Sequence, residues 1–182
     1  MPGYVALFRA VNVGGTQPVK MDALKAMHEA LGLRDVATYI QSGNVVFTSD
    51  EAEPAALATQ ITAAFADRFG FRTGVIVRSA EEWRAILDAN PFQHPPEKAT
   101  KWIAVTFLAQ QPSQTAQDAL RKSYVGPEEI HFAGKEMYVY YPDGMGRSKL
   151  TNVYIERKLK TTGTARNWNT VLKLWEMLQG RD

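Results

Sequence analysis

Arg9 and Arg166 each stand within a few residues of side-chain amides. Asn12 follows the first, and Asn167 and Asn169 follow the second. Gln41, Ser42 and Asn44 form a separate polar corner. A guanidinium presents parallel N–H donors that match a carboxylate or phosphate. Amides orient what it holds, and glycines such as Gly14 and Gly15 let a ligand approach the backbone. These residues are the candidate ligand-binding set, with a pocket expected between two subdomains. The same residue types also build turns and cap helices, so the structural reading stays open at each position.

Catalytic templates are not met. His28, His94 and His131 lack metal-ligand spacing and read as surface or packing histidines. With 0 cysteines, thiol nucleophiles, disulfides and cysteine-ligated metals are excluded. Gly14-Gly15 lacks the Gly-Lys-Ser/Thr that completes a phosphate-binding loop. Gly144-Met145-Gly146-Arg147-Ser148-Lys149 places glycines, a hydroxyl and two cations ahead of a helix, where an anion is favoured. A glycine turn with Ser148 as a cap explains it equally well. No catalytic residue, cofactor or metal site is assigned.

The 182 residues, 45% hydrophobic, suffice for one domain or two small ones. No apolar run reaches the roughly 18 residues of a membrane span, and the N-terminus lacks a basic-then-apolar leader. A cytoplasmic protein without a membrane partner is expected. The net charge of +2 is unevenly placed. Residues 1–90 hold 8 basic and 10 acidic side chains, and residues 91–182 hold 13 and 9. Between 147 and 173, Arg147, Lys149, Arg157, Lys158, Lys160, Arg166 and Lys173 face Glu156 alone. That favours an anionic partner weakly, against a solvated helix face for Arg157, Lys158 and Lys160.

The elements that position these groups follow from periodicity. Residues 4–10 read as a buried strand, and 20–31 as a helix with Met21, Leu24, Met27 and Leu31 on one stripe. Residues 36–40 and 45–47 form a hairpin around Gly43, which is expected at positive φ, a conformation Asn44 also tolerates. Pro54 opens a helix that Gly70 ends, and a strand spans 72–77. That order is β-α-β-β-α-β, a ferredoxin-like split βαβ unit, whose helix-free sheet face is left for a partner or a second domain. Ser79 and Glu82 form a capping box for a helix carrying Trp83, Ile86 and Leu87. After a proline-rich loop at 91–98, the strand at 102–108, helix at 115–122, hairpin at 129–141 and helix at 149–159 read as β-α-β-β-α. A last helix, 168–178, carries Trp168, Val171, Leu172, Trp175 and Leu178 on one face, with Asn167 as its N-cap. The expected organisation is α+β: two ferredoxin-like (split βαβ) subdomains packed together. The first covers 1–78, a helix and connection cover 79–98, and the second covers 99–182.

Three motifs, Arg9-Ala10-Val11-Asn12-Val13-Gly14-Gly15, Thr38-Tyr39-Ile40-Gln41-Ser42-Gly43-Asn44-Val45 and Thr164-Ala165-Arg166-Asn167-Trp168-Asn169-Thr170-Val171, together with Lys20-Met21, resemble a widespread bacterial family known as a domain of unknown function. The resemblance covers nearly the whole chain and implies two ferredoxin-like subdomains. It brings no activity and no catalytic set. Three functions are weighed: a protein-interaction module with structural motifs, an enzyme or sensor for a small anion, and a nucleic-acid or nucleotide binder. They rank in that order. An RNA-recognition sheet needs exposed aromatics on its central strands, and valines stand there instead.

Overall fold

The computed structural model describes residues 1–13, 17–92 and 100–181. The described chain divides into two compact units, 1–85 with 173–182, and 86–172.

Unit 1 is built on β1 (Gly3–Phe8), whose six residues are all buried. Both faces of this central strand are covered, which is why it reads as an unbroken apolar run. Next come α1 (Met21–Ala30), β2 (Arg34–Tyr39), β3 (Asn44–Thr48), α2 (Pro54–Phe69) and β4 (Val75–Ser79), and α3 (Ala80–Asp88) follows without a loop. The sheet is antiparallel in the order β2-β3-β1-β4, the ferredoxin-like arrangement. The last strand begins at Val75 rather than Arg72, and residues 72–74 form an irregular approach to it.

Pro54 occupies the first turn of α2, where its missing N–H costs no hydrogen bond. Gly70 ends that helix at φ 79°, its N–H donating to the Ala66 carbonyl. Leu24 and Met27 of α1 and Leu57, Ile61 and Phe65 of α2 cover one sheet face, against Tyr4, Phe8, Val45 and Phe47. Phe65 is the hub: its ring stands 5.4 Å from Phe8, 4.7 Å from Phe69 and 5.2 Å from Phe71. Burying such a ring stabilises the fold by about 1.5–3 kcal/mol.

Unit 2 repeats the order with β5 (Ile103–Leu108), α4 (Gln114–Ser123), β6 (Glu129–Ala133), β7 (Glu136–Tyr140), α5 (Asn152–Leu159) and β8 (Gly163–Asn167). Its sheet runs β6-β7-β5-β8, again antiparallel. Leu120, Ile155 and Leu159 pack on Ala104, Leu108, Met137 and Val139. The sequence pattern omits β8, because only Ala165 within it is apolar. Pairing with β5 makes it a strand, and Gly163 allows the approach: a Cβ there would lie 2.9 Å from Leu108 Cδ2 and 3.0 Å from the Phe107 carbonyl oxygen. The helix expected from residue 149 begins at Asn152, after a short 3-10 turn at Met145–Arg147.

Each final strand runs directly into a helix: β4 into α3, and β8 into α6 (Trp168–Gln179). In α6 the buried apolar positions are Trp168, Val171, Leu174 and Leu178, whereas Leu172 is 42% exposed. The buried stripe is thus rotated from the expected one; Leu174 takes the inner place that the spacing assigns to Leu172. The helix-free sheet faces are buried too, through Val5, Leu7 and Val46 in one sheet and Ile103, Val105 and Phe107 in the other.

Candidate functional site

The β1–α1 connection and the 40–43 corner are tied together by one side chain. Asn12 Nδ2 donates to the Gln41 carbonyl at 2.8 Å and to the Val19 carbonyl at 2.9 Å. Its Oδ1 accepts from the Val19 N–H at 2.7 Å. Asn12 itself sits at φ 57°, in the left-handed region that asparagine tolerates better than most residues. Gly14 and Gly15 lie outside the described residues.

The corner has its own lock. Gly43 has φ 83°, as its place in the turn requires, and its carbonyl accepts from the Phe8 N–H at 2.9 Å. Asn44 is not left-handed. It is the first residue of β3, fully buried, and its Nδ2 donates to the Tyr39 carbonyl at 2.8 Å and to Ser42 Oγ at 3.0 Å. Gln41 is exposed, and its backbone carbonyl receives Asn12. Ile40, which sequence reasoning passes over, has φ 50° and is 50% exposed. A β-branched residue in that region is an outlier that persists only where its surroundings impose it. Beside Asn12, Val13 is 54% exposed.

Arg166, Asn167 and Asn169 belong to unit 2. Arg166 is buried, and its Nη1 donates to Thr164 Oγ1 at 2.6 Å and to the Ala165 carbonyl at 2.9 Å. Burial lowers its pKa to about 10. Asn167 caps α6, its Oδ1 accepting from the Thr170 N–H at 2.9 Å. Asn169 is exposed on the first turn.

The two units explain one another here. Arg78 and Arg166 occupy the same place in their strands, each pairing with the third residue of the central strand, Val5 or Val105. Both arginines are buried. The residue after each caps the following helix. Ser79 Oγ accepts from the Glu82 N–H at 3.1 Å, with Glu82 Oε2 accepting from the Ser79 N–H at 2.9 Å, as Asn167 does for α6. A feature that both halves retain belongs to the architecture. Arg78 carries this signal, which becomes legible only once the halves are aligned through their strands.

The glycine-rich segment before α5 is not an anion cradle. Ser148 Oγ donates to Glu128 Oε1 at 2.6 Å and accepts from the Leu150 N–H, and the cap of α5 is Thr151, not Ser148. Tyr124 donates to the other Glu128 oxygen at 2.7 Å. Burial raises the Glu128 carboxyl, but hydrogen bonds from Ser148 and Tyr124 outweigh it and leave the pKa below normal. The Ser148 hydroxyl that an anion would use is thus taken by the Glu128 carboxylate. Arg157 and Lys158 flank the Tyr154 ring at 5.4 and 5.8 Å, as the solvated face of α5. His28 is a packing residue, His131 lies exposed against Phe92, and His94 is outside the described residues. Among the described residues, no cluster of His, Asp and Glu could hold a metal, and no helix is long and apolar enough to cross a membrane.

A search of curated proteins finds no match. Among solved structures, the chain is similar to the conserved bacterial protein SP0830 from Streptococcus pneumoniae. The two share 25% identity over 97% of this chain and 98% of that one, with a TM-score of 0.72. The model of a family described as protein of unknown function (DUF1697) matches residues 1–138. With three quarters of its length matched and the ferredoxin-like repeat common to both halves, the chain belongs to the DUF1697 family.

Proposed function

We propose that the chain is a non-catalytic cytoplasmic module that binds another protein through the paired loops of unit 1. The observation that carries this reading is the difference between the two units. The β1–α1 connection takes 12 residues, 9–20, where its counterpart from β5 to α4 takes 5, 109–113. The β2–β3 pair Tyr39–Asn44 encloses four residues, whereas Ala133–Glu136 encloses two. The same fold closes with the shorter loops, so the additions in unit 1 are not demanded by the architecture.

Both additions are joined through Asn12, and each presents an exposed β-branched residue, Val13 and Ile40. Loops positioned by a rigid scaffold commonly carry recognition. Strain at Ile40 is consistent with a conformation kept for binding rather than for stability. Burial of Val5, Leu7 and Val46 on the helix-free sheet face disfavours nucleic-acid stacking there. The absence of cysteines from the sequence fits a reducing compartment.

The test is a photo-crosslinking residue at Val13, used in extract of the native host with and without Ile40→Gly. A discrete protein crosslink that Ile40→Gly abolishes supports the reading. No discrete crosslink, or one indifferent to Ile40, overturns it.

A further inference from the structure

We infer that one end of unit 2 docks on an anionic membrane surface, with Val125 and Val153 entering the lipid and a rim of cations meeting the headgroups. This end is formed by the 124–128 loop between α4 and β6, the 141–151 segment between β7 and α5, and the first turn of α5. It lies wholly in unit 2 and does not involve Val13 or Ile40. The expectation of no membrane partner rests on the lack of a spanning segment, which a peripheral contact does not need.

A frame of side chains ties the three segments together. Tyr124 donates to Glu128 Oε2 at 2.7 Å, and Ser148 donates to Glu128 Oε1 at 2.6 Å. The Tyr124 ring stands 5.7 Å from that of Tyr154 in an edge contact. The Ser148 N–H donates to the Met145 carbonyl at 3.2 Å. Around this frame three apolar side chains are left to solvent: Val125 is 93% exposed, Val153 71% and Met145 41%. The 124–128 loop closes tightly: a Cβ on Gly126 would stand 2.5 Å from Glu128 Oε2 and 2.7 Å from the Tyr124 hydroxyl. The bonded pair thus fills the inside of the loop and keeps Val125 outside it.

Three exposed cations, Lys122, Arg147 and Lys149, each stand within two residues of a member of the frame. Among the described residues their side chains have no partner. Across residues 121–129 and 141–158, 6 cations stand against 4 acids. Two of those acids are engaged within the fold: Glu128 as above, and Glu156, which accepts the Gly163 N–H at 2.8 Å. Glu129 and Asp143 are the others. A cationic rim is drawn to an anionic leaflet, and each apolar side chain buried there adds to the attraction. Aliphatic tips offer no ring on which a base could stack, so the pattern suits lipid rather than nucleic acid.

Unit 1 serves as an internal control. Its α1–β2 connection takes three residues, 31–33, where the α4–β6 connection takes five, 124–128. Leu33 in the shorter connection is buried. Ala55 holds the second position of α2, as Val153 does in α5. The 49–53 connection before α2 carries Asp50, Glu51 and Glu53 and no cation, whereas 141–151 carries Arg147 and Lys149 against Asp143. The same fold therefore closes without apolar tips and with the opposite charge.

The experiment is co-sedimentation of the full chain with vesicles of phosphatidylcholine alone and with vesicles containing about one third phosphatidylglycerol. A titration with a single-stranded oligonucleotide runs beside it. Binding to the anionic vesicles is expected, weakening as salt is raised, with little binding to the neutral ones. Val125→Ser combined with Val153→Ser is expected to melt as the parent does and to weaken the anionic vesicles about tenfold. Lys122→Gln combined with Lys149→Gln is expected to weaken them about tenfold as well, and to flatten the salt dependence. No binding to anionic vesicles, equal binding to neutral ones, or binding that the valine pair leaves unchanged would overturn the membrane surface. Oligonucleotide binding without vesicle binding would overturn it in favour of nucleic acid.

Discussion

A Cβ placed on Gly43 would stand 2.8 Å from the Cβ of Phe8 and 3.4 Å from that of Val11. The corner of the first hairpin therefore lies against the end of the central strand with no room for any side chain. Two penalties act at once on Gly43→Ala: a left-handed backbone at φ 83°, about 1–2 kcal/mol, and overpacking, about 1–3 kcal/mol. The expected loss is about 2–5 kcal/mol by urea denaturation. Gly70→Ala is the control. Gly70 has φ 79° with nothing within 4 Å of its built Cβ, so only the conformational penalty of about 1–2 kcal/mol applies. Equal losses in the two variants would mean that the Phe8 contact yields freely.

Gly163→Ala separates crowding from backbone conformation in the opposite sense. Gly163 lies outside the left-handed set, yet its Cβ would meet Leu108 Cδ2 at 2.9 Å and a backbone oxygen at 3.0 Å. Overpacking alone predicts a loss of about 1–3 kcal/mol. Weaker amide protection at Val105 and Phe107, across the β5–β8 ladder, should accompany it.

Asn167→Ala removes the acceptor for the Thr170 N–H and should cost about 0.5–2 kcal/mol. Asn167→Asp keeps a capping oxygen and should retain most of the stability. If both variants unfold at the parental urea concentration, the cap contributes nothing.

Local chemistry was legible wherever one residue type dictates one backbone state. Pro54 at the start of α2, Gly70 at its end, Gly43 in the corner and the Ser79–Glu82 box all stand where the residue pattern puts them. What escaped depends on distant partners. The strand Gly163–Asn167 has almost no apolar pattern, and only its register against Ile103–Leu108 makes it a strand. The exchange of Leu172 for Leu174 is a phase error on a helix that offers three leucines in seven positions, 172, 174 and 178. Of the candidate site, the contact between Asn12 and the Gln41 corner could be guessed from shared chemistry. Ile40 could not, because a β-branched residue is the last type expected at positive φ. Arg9 is placed by its backbone, whose N–H donates to the Gly74 carbonyl at 2.9 Å, a distant partner that no motif announces.

His28 supplies a pH signature for the fold. It is wholly buried between Phe8 and Phe47, with ring centroids 5.7 Å away in each case. Nδ1 lies 2.7 Å from the Leu24 carbonyl and so carries the proton that it donates, whereas Nε2 has no partner. Burial disfavours the imidazolium and, against the smaller opposing effect of the Leu24 bond, lowers the pKa from 6.5 to about 4. The unfolded chain thus binds a proton below pH 6.5 that the folded chain refuses until about pH 4. Stability is full above the unfolded value, falls as pH drops through that window, and levels off below it. The whole fall amounts to about 3 kcal/mol, because each tenfold loss of proton affinity on folding corresponds to roughly 1.4 kcal/mol. Urea unfolding of the parent and of His28→Leu between about pH 7.5 and 4 should give curves whose difference changes by that amount. Leucine cannot take up a proton, so its curve keeps only the slope due to carboxylates. Parallel curves across the window would show that the imidazole titrates normally and that its buried, neutral state is wrong.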